Sequence, residues 1–115
     1  MTADDFRRVA LGLPEAVESA HMGHADFRVA GKVFATLGYP DAGWGMAKLQ
    51  PVQQEMLAAA EPAMFRPVKG GWGVKGATNV RLDAVDEPSL LSALRMAWLN
   101  TAPKSLAARL EGAGS

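Results

Sequence analysis

The chain has 115 residues, 49% of them hydrophobic, no cysteine, and 12 Lys and Arg balanced by 12 Asp and Glu for a formal net charge of zero. That length makes a single domain, 1–115, able to bury somewhat more than ~60% of the surface its unfolded chain exposes. The lack of cysteine excludes disulfides, zinc fingers and thiol nucleophiles, and the neutral balance argues against a dedicated high-affinity nucleic-acid binder, which carries a strongly basic domain.

Asp4 and Asp5 precede Arg7 and Arg8, and no long apolar stretch follows, so no cleaved signal peptide is expected. No apolar run approaches the ~18 to 20 residues that cross a bilayer. A cytoplasmic protein without a membrane partner, monomeric or weakly dimeric, is expected. The charge is unevenly spread: residues 1–63 hold five Lys/Arg against eight Asp/Glu, and residues 64–115 hold seven against four.

In chain order, Thr2 followed by Asp5 reads as a capping box, and Phe6, Val9, Ala10 and Leu13 recur at helical spacing. A helix is predicted over Ala3 to Leu11, closed by Gly12 and Pro14. Four short segments follow, Val17 to Met22, Asp26 to Ala30, Lys32 to Leu37 and Trp44 to Leu49, punctuated by turn residues such as Gly23, Gly31, Gly38, Pro40 and Gly43. Alternation on both sides of Ala30 and Gly31 predicts a hairpin there, with Arg28 and Lys32 near its tip.

Pro51 opens a second helix whose apolar stripe is Val52, Met56, Leu57 and Ala60, ending before Pro62. Met64 to Val68 and Thr78 to Leu82 read as strands. Pro88 and Ser89 start the last helix behind the acidic run Asp83, Asp86 and Glu87, with Leu91, Leu94 and Trp98 as its buried stripe. It pauses at Pro103 and resumes through Leu106 and Leu110, leaving Gly112 to Ser115 as a frayed tail. The order is α, three strands, α, two strands, α. The expected class is α+β: a small antiparallel sheet of about five strands with helices on one face, burying Phe6, Val9, Phe34, Leu91, Leu94 and Trp98.

The stretch Phe65 to Leu82, FRPVKGGWGVKGATNVRL, carries Arg66, Lys69, Lys75 and Arg81 without one acidic residue. Its ends read as strands and its middle, around Trp72, as a projecting loop or hairpin tip. The run GGWGVKG lacks both the spacing and the strand-to-helix setting of a phosphate loop. No serine lies in a G-x-S-x-G context and no carboxylate pair of glycosidase type can be assigned, so no catalytic residue, enzyme activity or cofactor is expected.

The pieces GLPEAVESAHMGHADFRVAGKVFATL (12–37), MFRPVKGGWGV (64–74) and LLSALRMAWLNTAPKSL (90–106) resemble the MmcQ/YjbR proteins. The matching positions are Leu13, Pro14, Glu18, His21, His24, Phe27, Arg28, Gly31, Lys32, Phe34, Pro67 and Trp72. The resemblance implies a small α+β fold like that of secretion chaperones, also described as CyaY-like, and DNA binding through a double wing. It brings no catalytic residues and no cofactor. The loop from Gly70 to Ala77 departs from the family pattern in its glycine content.

His21 and His24 could form a metal or proton site if a turn brought them together, but on a strand their odd spacing sends them to opposite faces, and no third soft ligand is near. They read as structural or surface residues, with no metal expected. Trp44 and Trp98 read as core; Trp72, between Gly71 and Gly73, is balanced between sealing the sheet and stacking on a ligand. Two functions follow. In the first, weak and non-specific DNA binding, Arg28 and Lys32 at one tip and Arg66, Lys69, Lys75 and Arg81 at the other track phosphates while Trp72 stacks. The alternative is a protein-interaction module that receives a partner peptide at a sheet edge or face.

Overall fold

Thr2 opens the first helix, α1 (Ala3–Leu11): its side chain accepts from the Asp5 N–H while the Asp5 carboxylate accepts from the Thr2 N–H, satisfying two donors that a helix start leaves bare. The computed structural model describes residues 1–113. After α1 come β1 (Val17–His21), β2 (His24–Val29), β3 (Lys32–Leu37) and β4 (Trp44–Lys48), then α2 (Pro51–Ala60). The chain continues through β5 (Phe65–Pro67), a helical turn α3 (Gly71–Val74), β6 (Ala77–Arg81), α4 (Glu87–Thr101) and α5 (Lys104–Ala113).

Among the described residues the strands form one antiparallel sheet of six strands, in the order β1-β2-β3-β4-β6-β5. The α+β class stands, but the sheet has one strand more than expected, because all four early segments pair rather than three. Two-residue turns with both central residues at positive φ, Met22–Gly23 and Ala30–Gly31, join β1 to β2 and β2 to β3. Such turns match the right-handed twist of the strands they connect.

One face of the sheet is covered. Phe27, Val29, Phe34, Ala35, Leu37, Ala47, Phe65 and Val80 meet Phe6 and Ala10 of α1 and Leu90, Leu94, Ala97 and Trp98 of α4 in a single core. The Trp98 indole N–H donates to the Pro14 carbonyl at 2.9 Å, which ties α4 to the end of the α1 turn. Gly45 faces this core because a Cβ there would lie 2.5 Å from the Phe6 ring. Arg7 bonds Asp4 and Glu18, and Arg8 bonds Asp5 and Glu87, so the cations of α1 lace it to β1 and α4.

Several expected burials are corrected. Leu91 is 44% exposed, since Leu90 and Leu94 take the inward positions of α4. Val52 and Met56 of α2 are exposed as well, leaving Leu57 as the apolar contact of that helix with the core. Gly112 and Ala113 belong to α5, and Gly114 and Ser115 lie outside the described residues. Among the described residues no helix is long and apolar enough to cross a membrane.

Candidate functional site

The second face of the sheet carries no helix from α1 or α4, and strand register dictates what it displays. Successive side chains on a strand alternate faces, so the partners of outward residues are themselves outward. The pairs Thr36 with Met46, Met46 with Asn79, Lys48 with Ala77, Trp44 with Arg81 and Arg66 with Asn79 set out the open surface. β4 and β6, distant in sequence, are neighbours in it.

Trp72 stands over this surface, 68% exposed. The projecting loop expected around it is instead the compact turn α3, held from behind. The side-chain amide of Gln54 on α2 donates to the carbonyls of Gly73 and Ala77, at 2.9 and 2.8 Å. Gly73 packs so closely that a Cβ would sit 1.6 Å from the Val68 carbonyl oxygen. Gly76 takes φ +111°, with the Leu49 carbonyl 2.1 Å from where its Cβ would be. These glycines permit backbone-on-backbone packing, and the result is a large indole carried on a braced support.

Two clefts meet at that indole. One, of about 420 Å³, is lined by Lys32, Lys48, Leu49, Trp72, Lys75, Ala77, Asn100 and Thr101. Its three lysines are exposed, and none forms a salt bridge among the described residues. The Lys75 ammonium lies 5.6 Å from the centre of the Trp72 ring, within cation–π range. The other cleft, of about 510 Å³, crosses the sheet between His21, Val33, Thr36, Tyr39, Met46, Lys48, Val68, Trp72, Ala77 and Asn79. It is largely apolar, and the side chains of Thr36, Asn79 and His21 at its surface make no hydrogen bond among the described residues.

The expected basic residues divide into groups. Lys32, the first residue of β3, and Lys75, just after α3, share the basic cleft with Trp72, and Lys48 joins them from β4. Arg66 and Arg81 both lie over the Trp44 ring, at 4.9 and 5.9 Å, and Arg81 also bonds Asp83 at 2.7 Å. Trp44 is therefore half-buried on the open face beneath two guanidiniums, not in the core as expected. Lys69 is exposed and lines neither cleft.

Arg28 stands apart from both groups. It sits on β2 rather than at the hairpin tip, and it forms a two-pronged pair with the buried carboxylate of Asp26, at 2.8 and 3.0 Å. Those bonds raise the already high pKa of its guanidinium and occupy its charge.

His21 and His24 are also corrected. The Met22–Gly23 turn makes them direct cross-strand partners, so they share a face. The His24 ring stacks on Tyr39, with centroids 4.0 Å apart. Among the described residues no group of three or more His, Cys, Asp or Glu is placed to hold a metal.

Lys48, Tyr39, Met46 and Val33 were not among the residues singled out from sequence. The available signal was the alternation of Trp44, Met46 and Lys48, which places all three on one side of β4.

The profile of the YjbR family matches residues 11–100. The chain belongs to the YjbR family. Its fold is also similar to a crystal structure of the Deinococcus radiodurans protein DR2400, whose domain is DUF419, the same family. The two share 25% identity and a TM-score of 0.71, over 86% of this chain and 77% of that one. No curated protein matches. Both histidines, Lys32 and Trp72 of this YjbR domain fall inside the matched span.

Proposed function

We propose that this YjbR domain binds single-stranded nucleic acid, weakly and without sequence preference, along the open face of its sheet. The observation that carries this reading is the convergence of Lys32, Lys48 and Lys75 on one cleft around an exposed, braced indole. Unpaired ammonium groups contact phosphates, and an aromatic face stacks on any base. Arg66, held over Trp44, supplies a further cation at the other end of β4. Lys48 and Trp44 are four residues apart on that strand, so the two positive stations are roughly 13 Å apart.

A single strand fits this surface better than a duplex. Groove readout needs an element that enters the groove with Arg, Asn or Gln presented to base edges, and the open face offers strands and the single helical turn α3, which carries none of these residues. Three or four phosphate contacts on a neutral protein set the dissociation constant in the range of ~10⁻⁴ to 10⁻⁶ M, with a single-strand salt slope of about −2 to −3. Raising salt from ~50 to ~200 mM then weakens binding about 20- to 50-fold.

The test is a low-salt titration of a labelled oligonucleotide against the natural protein and a Lys48→Glu/Lys75→Glu variant. Loss of binding in the variant, with an unchanged melting temperature, supports the reading. Equal binding refutes it. A second reading, addition of a partner peptide as a strand, is supported by the edge strand β1, all five of whose residues are exposed. Peptide binding that saturates at high salt would favour it.

A further inference from the structure

The basic cleft accounts for phosphates but leaves the larger, apolar cleft without a role. Its volume, about 510 Å³, lies within the range of sites that enclose small organic groups. Its walls are Val33, Tyr39, Met46, Val68 and Trp72, and the side chains of Thr36 and Asn79 bring uncommitted polar atoms to it. An apolar enclosure with a few unpaired hydrogen-bonding groups is the chemistry that receives a flat heteroaromatic ring.

Three residues, Lys48, Trp72 and Ala77, border both clefts. Lys75, which makes the cation–π contact with the indole, lines only the basic cleft, whereas Trp72 lines the apolar one as well. Gln54, Gly73 and Gly76 fix the support of that indole, so a ring that slides against it meets a surface that is already in place. We propose that the apolar cleft is a base pocket: one unstacked base of a bound single strand inserts between Trp72 and the Tyr39–Met46 wall, beside a backbone held by Lys48, Lys75 and Lys32. Asn79, whose side chain offers an NH2 donor group beside a carbonyl acceptor, faces the edge of that base.

This inference rests on the single-strand reading but differs from it in where the base goes. Stacking on the outer surface of Trp72 would leave the cleft empty; insertion makes the cleft wall part of the affinity. The experiment compares two labelled oligonucleotides of equal length and charge, one natural and one with abasic sites, by fluorescence anisotropy at low salt. They are titrated against the natural protein, Trp72→Ala, and Val33→Trp, which fills the cleft from β3 without touching a lysine. Met46→Trp fills it from β4 and serves where Val33→Trp melts early.

The expected result is that abasic sites weaken binding to the natural protein about tenfold, within the range of one base–aromatic stack. The filled-cleft variant should lose the same factor on the natural oligonucleotide and nothing on the abasic one. Should the filled cleft bind the natural oligonucleotide unchanged while Trp72→Ala loses affinity, the base stacks outside and the pocket is refuted, with the single-strand reading intact. Should neither oligonucleotide bind the natural protein at ~100 μM, the single-strand reading fails and takes the pocket with it.

Discussion

Replacing Gly73 by alanine is a sharp test of how the indole platform is built, because Gly71, two residues earlier, supplies a matched control. At Gly73 the added Cβ would fall 1.6 Å from the Val68 carbonyl oxygen, whereas ordinary contact begins near 3.4 Å, so a shift of roughly 1.8 Å is required. Both partners are backbone, so no rotamer change relieves the clash. The turn must lift away from Val68, and the bonds from Gln54 to Gly73 and Ala77 go with it. At ~0.5 to 1.5 kcal/mol for each bond, the loss is about 1 to 3 kcal/mol before any backbone strain is counted. At Gly71 nothing lies within 4 Å and φ is not in the left-handed region, so alanine there is neutral or stabilises by up to ~1 kcal/mol through the unfolded chain. Thermal and urea melts of the two variants should diverge, Gly73→Ala falling by several degrees and Gly71→Ala holding or rising. Indistinguishable melts would refute the close packing of α3.

Further outcomes follow from the core, the caps and the paired histidines. Trp98→Ala should cost ~3 to 5 kcal/mol in urea unfolding, since it empties a fully buried site and strips the Pro14 carbonyl of its donor. The Asp5 carboxylate is held below its ordinary value of 3.8 by the backbone N–H and hydroxyl of Thr2, and Asp86 is held below it by Ser89. A depressed folded-state pKa gives stability that is complete above the unfolded value and is lost as pH falls through the folded one. Asp5→Asn and Asp86→Asn should therefore flatten the decline in melting temperature below about pH 4, which a pH series of melts would read. Stoichiometric zinc should leave the melting temperature unchanged, because His21 and His24 have no third ligand among the described residues; a rise of several degrees would point to a metal site.

Local chemistry was legible where the signal and the structure lie within a few residues of each other. The Thr2–Asp5 box, the Ala30–Gly31 turn, Pro51 at a helix start and the break at Pro103 are of this kind. The β1–β2 turn was harder to read: both turns place a non-glycine residue, Met22 or Ala30, at positive φ, but only Ala30 and Gly31 are flanked by apolar alternation on both sides. Glycine's low helix propensity hid α3, whose conformation is imposed by Val68, Leu49 and Gln54 from outside the turn. Trp44 reads as core by its size, but the register of β4 turns it outward and two arginines cover it.

The site was only half visible for the same reason. The stretch without acidic residues marked Lys75 and, among its glycines, Trp72, and the hairpin at Ala30 and Gly31 marked Lys32. Their meeting point depends on β4 crossing to pair with β6, from Trp44 with Arg81 to Lys48 with Ala77, and that long-range pairing is what brings Lys48, Met46 and the apolar cleft into the arrangement. Arg28 belongs to the same basic set by sequence, yet Asp26 two residues away occupies it.

The central claim, that nucleic acid lies along the open sheet face around Trp72 and not on the basic residues outside the two clefts, is tested most directly by mapping amide and indole N–H resonances of the ¹⁵N-labelled protein during titration with a short single-stranded oligonucleotide at low salt. The account predicts shifts concentrated at Lys32, Val33, Lys48, Trp72, Lys75 and Ala77, with the Trp72 indole N–H moving and that of the buried Trp98 staying in place. Shifts confined to Lys69 and Arg28, or none at all at ~100 μM, would contradict it.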